Sequence, residues 1–156
     1  MERSSGCIST APAQGGTQAQ VIGRSRGGLT TTILAVVDAR GNLGRFILLP
    51  GQRHDSVGVA PVLDGIEVSA LLADKAFDSN AIRALIAERG AVAVIPSKAD
   101  GSVPIPHDAE MYNWRHLVEI FFGKIKEFRR IATRHDKTDT SFAAAIHLVA
   151  TVLATR

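Results

Sequence analysis

The chain has few of the residues that build cross-linked or thiolate-rich scaffolds. Its 156 residues include one cysteine, Cys7, so an internal disulfide and a zinc site made of several thiolates are both excluded. Proteins without disulfides are typical of reducing compartments, and we expect a cytoplasmic location. No apolar run follows Met1, which argues against a secretory signal peptide.

Long hydrophobic stretches are also lacking. The longest uncharged stretch near the C-terminus, residues 141–155, is shorter than the roughly 18–20 residues that span a membrane. We therefore expect a buried core helix there, with His147 as a hydrogen-bonded core histidine, and no membrane partner. The net charge of +3 is small, so it says little about binding partners until its distribution is known.

The composition allows one globular domain. Hydrophobic residues make up 46% of the chain and charged residues 21%, which is enough apolar material for a core. Residues 1–28 are rich in Gly, Ser, Gln and Thr and have no apolar periodicity, and they are predicted to be a disordered leader. Residues 29–156 are predicted to form the folded domain.

Hydrophobic patterning in this domain predicts a mixed α/β sheet. The expected elements are two strands of a hairpin, a short helix, a strand, a helix, a strand and two C-terminal helices. In chain order they span residues 31–37, 43–49, 56–63, 68–73, 79–89, 91–95, 112–133 and 140–155. A strand–helix–strand unit implies parallel pairing beside the antiparallel hairpin.

The predicted long helix, residues 112–133, carries an unusual polar edge. Tyr112, Arg115, Glu119 and Lys126 lie within an arc of about 60° on a helix, opposite its apolar face. Mixed charges are common on solvated helix faces, and Arg115–Glu119 is an ordinary pair one helical turn apart. The spacing alone therefore has an explanation that involves no function.

Most of the excess positive charge lies in residues 115–137. The cations of this segment are Arg115, Lys124, Lys126, Arg129, Arg130, Arg134 and Lys137. A basic helix edge of this kind suits the phosphates of nucleic acid, although it also suits a plain solvated surface.

The pattern Tyr112-x-x-Arg115-x-x-x-Glu119-x-x-x-x-x-x-Lys126 resembles the Y-R-E-K signature of bacterial insertion-sequence DDE transposases, which have a ribonuclease H-like fold. Other segments resemble that family in the same order. They are GRSRGGLTT (23–31), GQRHDS (51–56), ADKAFDS (73–79), VIPSK (94–98) and RHLVEIFFGKIKEFRRIATRHDK (115–137).

The resemblance implies metal-dependent DNA strand cleavage and strand transfer. In this family two Asp and one Glu hold Mg²⁺ or Mn²⁺, which suits hard cations that prefer oxygen ligands. The metal ions activate the attacking oxygen and stabilise the leaving oxygen at phosphorus. Asp74 matches the second Asp and Glu119 the Glu, as catalytic residues and metal ligands.

The resemblance also implies DNA-binding residues and partners. Tyr112, Arg115 and Lys126 would contact DNA near the scissile phosphate, and the basic residues Arg129, Arg130 and Arg134 would bind its backbone. The implied partners are the DNA of the element ends and target, an upstream-frame polypeptide and a second copy of the chain, at the nucleoid.

Simpler explanations exist for several of these residues. Asp74 follows a predicted strand, where an Asp often serves as a turn or cap residue. His54 and Asp55 match a family segment but also suit a loop and a helix cap. His116 is expected on a helix surface, and Asp38 in the hairpin turn.

The family's first Asp has no counterpart, because residues 1–28 contain no Asp and only one acid, Glu2. The resemblance implies a ribonuclease H-like fold with strand order 3-2-1-4-5, and we expect an incomplete sheet in which the first, central strand is absent. A truncated transposase, inactive alone, is the first hypothesis. The second is a non-catalytic fragment that binds DNA or a partner protein. An unrelated α/β binding domain would leave the matched segments unexplained.

Overall fold

In the structure, a computed structural model, residues 2–10, 21–25, 28–98 and 105–155 are described. They form a mixed sheet with helices packed on both faces, so the predicted α/β class with flanking helices is confirmed. The strands are β1 (Glu2–Thr10), β2 (Gly23–Ser25), β3 (Gly28–Asp38), β4 (Leu43–Pro50), β5 (Ala70–Leu72) and β6 (Val92–Val94). The helices are α1 (Val59–Leu63), α2 (Asn80–Glu88), α3 (Ala109–Asn113), α4 (His116–Lys126), α5 (Arg129–Ala132) and α6 (Asp139–Ala154).

The central strand is present, so the prediction that it is absent is wrong. β1 pairs antiparallel with β3 and parallel with β5, which gives the strand order β4-β3-β1-β5-β6. Its sequence, ERSSGCIST, has little apolar patterning to indicate a strand. The ladder is made by backbone groups, which pair whatever the side chains are. The predicted disordered leader, residues 1–28, also contains the short strand β2. Its residues 11–20 lie outside the described residues.

The predicted hairpin is confirmed as β3 and β4, which pair along most of their length. Asp38 makes the turn between them, since its Oδ1 accepts hydrogen bonds from the amides of Arg40 and Asn42, both at 2.9 Å. Gly41 adopts a φ of +80°, which suits glycine because it has no Cβ. Asp38 therefore has the local role expected from the sequence.

Alternating residues of β3 build two cores on opposite faces of the sheet. On one face, Leu34 and Val36 pack with Leu71 and with apolar residues of α1 and α2. On the other face, Ile33 and Ala35 pack with apolar residues of α4, α5 and α6. The sheet is thus buried on both sides, and its strand ends are left to carry polar groups.

The β5–α2–β6 unit forms as predicted, with β5 and β6 parallel. The hydroxyl of Ser79 accepts a hydrogen bond from the amide of Ile82 at 3.3 Å and caps α2. Gly90, at a φ of +68°, follows the helix and lets the chain turn towards β6.

The long helix predicted over residues 112–133 is divided into α3, α4 and α5, which corrects the prediction. Between α3 and α4 the chain tightens into hydrogen bonds of the 3₁₀ type, from Arg115 N to Tyr112 O and from Val118 N to Arg115 O. Between α4 and α5 the break is at Phe128, which is extended. The break places Ile131 in the core, where it is fully buried, so tertiary packing overrides local helix propensity.

The C-terminal helix α6 forms as predicted and is capped by Thr138, whose hydroxyl accepts from the amide of Ser141 at 3.2 Å. His147 corrects the prediction of a core histidine, because it is exposed and its ring lies 4.9 Å from that of Phe46. Among the described residues, no helix is long and apolar enough to cross a membrane.

Candidate nucleic-acid interface and metal centre

Asp74 lies just beyond the carboxyl end of β5. Its Oδ1 accepts a hydrogen bond from the amide of Lys75 at 2.6 Å and so caps a short 3₁₀ helix, Lys75–Phe77. Phe77 is buried in the core and anchors this turn. The turn role expected as the simpler explanation is therefore real, and it leaves Asp74 half-buried with its second carboxylate oxygen available to a ligand.

Helix α3 packs over the same part of β5. Ala70 and Leu72 of β5, with Val94 of β6, form a small apolar cluster against which Tyr112 packs. Side chains alternate along an extended chain, so Asp74 follows Ala70 and Leu72 on the face that carries Tyr112. Asp74 and Tyr112 therefore share one face of the sheet.

The side chain of Arg115 contacts both Tyr112 and Glu119. The Arg115 guanidinium carbon lies 5.5 Å from the centroid of the Tyr112 ring, within the range of a cation–π contact. Arg115 Nη2 donates to Glu119 Oε1 at 2.6 Å. The structure brings these three residues together although Tyr112 belongs to α3 and Glu119 to α4, because the turn between the helices preserves their spacing.

Glu119 is well exposed, with 58% of its side chain accessible, so its partnership with Arg115 is a solvated one. Such pairs contribute little to stability and are readily exchanged. A divalent cation or a DNA phosphate could therefore take over one member of the pair without unfolding the helix.

Carboxylate oxygens suit Mg²⁺ or Mn²⁺, so the chemistry of Asp74 and Glu119 fits such an ion. In the part of the chain that the structure describes, no group of three or more His, Cys, Asp or Glu is arranged to hold a metal. The proximity of Asp74 and Glu119 to one another stays a prediction.

The basic residues that follow Glu119 differ in their accessibility. Lys126, at the end of α4, and Arg129, in α5, are exposed. Arg130 is also exposed but is held by Asp136, which accepts from its Nε at 2.9 Å and from its Nη2 at 2.5 Å. These hydrogen bonds from Arg130 hold the pKa of Asp136 below its ordinary value. Lys126 and Arg129 are thus the better placed of the three to meet DNA.

Arg134 does not belong to this surface, which corrects the prediction that it binds DNA. Its side chain has 0% exposure. Nη1 donates to Thr31 Oγ1 at 2.6 Å and Nη2 to Asp139 Oδ1 at 2.5 Å. A guanidinium enclosed in this way joins the sheet to α6 and cannot reach a phosphate.

The histidines of the matched segments are peripheral. His54 Nδ1 lies 3.4 Å from the hydroxyl of Ser56 in an exposed loop, and His116 Nδ1 lies 2.6 Å from the carbonyl oxygen of Asn113. Both are exposed, which agrees with the loop and helix-surface positions expected from the sequence.

The ion pair of Asp78 and Arg83 was not predicted from the sequence. Asp78 Oδ1 accepts from Arg83 Nε at 2.8 Å, and only 15% of the Asp78 side chain is exposed. The signal was available, because Asp78 lies in the matched segment ADKAFDS beside Asp74. Its partner Arg83 lies in no matched segment, so the pairing itself needed the fold.

Comparison with known proteins identifies the class. A sequence model of the transposase DDE domain family matches residues 7–154. The chain therefore belongs to the DDE transposase family, as the matched segments predicted.

The comparison also finds a similar transposase. The putative transposase for insertion sequence element IS6501 of Brucella ovis is 37% identical to the chain over 130 residues, which cover 80% of this chain and 98% of the relative. The chain is thus an insertion-sequence transposase of the DDE family, and a role in DNA transposition follows from that membership.

Proposed function

We propose that the domain is ribonuclease H-like and catalyses metal-dependent phosphoryl transfer on DNA, with Asp74 and Glu119 as metal ligands. The observation that carries the proposal is a chain of three contacts: Tyr112 packs on the β5 cluster, Arg115 contacts the Tyr112 ring, and Arg115 donates to Glu119. The strand order supports the proposal. When the short β2 is left out and the other five strands are numbered in chain order, β4-β3-β1-β5-β6 becomes the 3-2-1-4-5 order of such folds.

In this proposal the residues have separate tasks. Asp74 and Glu119 would hold Mg²⁺ or Mn²⁺, which when bound supplies the charge that stabilises the attacking and leaving oxygens. Arg115 releases Glu119 and turns to the DNA backbone, guided by its contact with the Tyr112 ring. Lys126 and Arg129 bind phosphates of the neighbouring backbone, where cations are favoured.

We further propose that the chain is inactive alone. β1 occupies the centre of the sheet but contains no Asp, so the family's first carboxylate is not supplied at that strand. Groups that act on a phosphate must be held within about 0.5 Å of a productive arrangement, and two carboxylates, which can bind one divalent ion, are too few to hold two of them in that arrangement. A second polypeptide that bears an Asp would be the source of the missing group.

The test is nicking and strand transfer on the element's own terminal DNA, with Mg²⁺ or Mn²⁺, by the purified chain and a Glu119→Ala variant. We expect no activity from either. Activity of the chain that disappears with Glu119→Ala would show that another ligand replaces the first Asp. Activity that appears only when a polypeptide bearing an Asp is added would make the chain one part of a split enzyme.

The second candidate is a DNA-binding fragment without catalysis. The exposure of Lys126 and Arg129 on adjoining helices favours it, because a basic edge binds DNA without any metal. Mn²⁺ titration separates the two candidates. Binding of Mn²⁺ that is lost in both Asp74→Asn and Glu119→Gln supports the catalytic proposal, whereas the DNA-binding fragment needs no such site.

A further inference from the structure

A partly buried ion pair connects the loop after β5 to the loop after β6. Asp78 follows the short 3₁₀ helix that Asp74 caps, and the amide of Asp78 donates to the carbonyl oxygen of Lys75 at 3.1 Å. Its carboxylate accepts from Arg83 Nε at 2.8 Å through Oδ1 and from the amide of Lys98 at 2.8 Å through Oδ2. One carboxylate therefore joins α2 and the chain beyond β6.

Arg83 completes the connection. While Nε donates to Asp78, Nη2 donates to the carbonyl oxygen of Ile95 at 2.8 Å. Ile95 is fully buried in the core beside Ala73 and Phe77. Only 14% of the Arg83 side chain is exposed, so solvent competes weakly for these hydrogen bonds. The four residues Asp78, Arg83, Ile95 and Lys98 form what we call the loop clamp.

The loop clamp borders Asp74. Residues 75–77 separate the two aspartates, and Phe77 in this short stretch is fixed in the core. The turn that presents Asp74 is thus held at three points: by its own hydrogen bond to Lys75, by the Phe77 ring and by the Asp78 carboxylate. A shift of Asp78 would move Asp74 with it.

We propose that Asp78 is a positioning residue that fixes the Asp74 turn against the end of β6 and so sets the affinity of the site for a divalent cation. The inference rests on the proposed role of Asp74 as a metal ligand. Partners that orient a ligand typically change metal affinity by about 10- to 100-fold when they are removed.

Asp78 is not a substitute for the family's missing carboxylate. Both of its oxygens already accept hydrogen bonds, one from a cation and one from a backbone amide. The hydrogen bonds from the Lys98 amide and the Arg83 side chain hold the pKa of Asp78 below its ordinary value, so it stays ionised and engaged at neutral pH.

The test is Mn²⁺ affinity, measured by titration calorimetry on the intact chain well below its melting temperature. Asp78→Asn keeps the side-chain shape but loses the charge and one acceptor oxygen, and we expect its Mn²⁺ affinity to fall by about ten-fold. Asp64→Asn is the matched control, because Asp64 is an exposed residue at the end of α1 and its loss removes the same charge. We expect its affinity to stay within about two-fold of the original.

Arg83→Lys is the second variant, since it keeps the charge but cannot donate to both Asp78 and Ile95 in the same way. It should lower Mn²⁺ affinity too, and the double variant should lose little more than Asp78→Asn alone, because the two residues act as a unit. Amide hydrogen exchange should accelerate together at residues 75–78 and at Lys98.

The outcomes distinguish failure of the proposed role of Asp78 from failure of the proposed metal site. Mn²⁺ affinity and amide exchange that are both unchanged in Asp78→Asn would overturn the inference. Lower thermal stability with unchanged Mn²⁺ affinity would also overturn it, since Asp78 would then be structural only. If the original chain binds no Mn²⁺, or if Asp74→Asn and Glu119→Gln do not affect binding, the proposed metal site itself fails.

Discussion

The guanidinium of Arg134, with 0% exposure, donates from Nη2 to Asp139 Oδ1 at 2.5 Å. The pair belongs to a closed ring of hydrogen bonds. Arg134 also donates to Thr31 Oγ1, Thr31 Oγ1 donates to the carbonyl oxygen of Val21, and the Val21 amide donates to Asp139 Oδ2. The ring joins segments more than one hundred residues apart, so it ties β3 and the chain before β2 to α6.

The ring predicts a large loss of stability when its cation is removed. Arg134→Ala leaves the Asp139 carboxylate and the Thr31 hydroxyl without their buried partner, and breaking a buried pair in this way costs about 3–5 kcal/mol. Urea unfolding measures the change. Arg129→Ala is the control, because an exposed residue of the neighbouring helix should change the free energy of unfolding by no more than about 0.5 kcal/mol. Equal effects of the two variants would show that Arg134 is not the centre of the ring.

DNA binding should depend on the exposed cations and not on Arg134. Each phosphate contact that is removed lowers the slope of log affinity against log salt by about 0.9. We therefore expect the double variant Lys126→Ala with Arg129→Ala to weaken binding to any duplex and to flatten its salt slope by nearly two. Fluorescence anisotropy with an unrelated duplex provides the measurement. Arg89→Ala is the matched control, because Arg89 is an exposed cation just after α2, whose apolar residues pack on the other face of the sheet. A slope unchanged by the double variant would indicate a different DNA surface.

The pH dependence of stability should report the Arg130–Asp136 contact. Arg130 holds the pKa of Asp136 below its ordinary value of 3.8 in the folded state, so the unfolded chain binds the proton more tightly. The contact therefore stabilises the fold fully well above pH 3.8, and this stabilisation is lost as the pH falls through 3.8 towards the folded pKa. The melting temperatures of the original chain and of Asp136→Asn should differ at pH 7 and converge in acid. A difference that does not narrow as the pH falls below 3.8 would contradict the assignment, and Asp64→Asn should show no comparable convergence.

A carboxylate placed on β1 should improve metal binding if β1 is the central strand. The register pairs Ser4 with Leu72, whose face carries Tyr112, and pairs Ser5 with Val36, which packs on the opposite face. We expect Ser4→Asp to raise Mn²⁺ affinity by about ten-fold, because an added anionic oxygen ligand strengthens binding of a hard cation. Ser5→Asp adds the same charge on the other face and should not raise it. Equal gains from both variants would reflect net charge alone and would contradict the register.

Much of the fold followed from local patterns in the sequence. The alternation in β3 and β4, with Asp38 in their turn, is decided by neighbouring residues, and so is α2 between its Ser79 cap and Gly90. The family could also be recognised from local sequence. The segments that match it are short and contiguous, and they carry polar residues next to apolar ones, at strand ends and along one helix edge.

Other features could not be predicted from the sequence, because they depend on contacts between distant segments. β1 has no apolar pattern of its own and is held by backbone hydrogen bonds to β3 and β5 on either side, so only the assembled sheet reveals it. His147 lies in an apolar helix, and only the packing of α6 shows that it points away from the core.

The sequence by itself determined the family, the polar residues along 112–126 and the absence of any Asp from residues 1–28. Tertiary structure alone decided which cations are available to DNA. Arg129 and Arg134 have the same chemistry and lie in the same basic segment, yet one is exposed and the other is enclosed by Thr31 and Asp139. A run of charged residues in the sequence does not show which of them are exposed. A buried charge persists only when its hydrogen bonds are made. The burial of an arginine therefore depends on whether distant groups accept hydrogen bonds from its guanidinium.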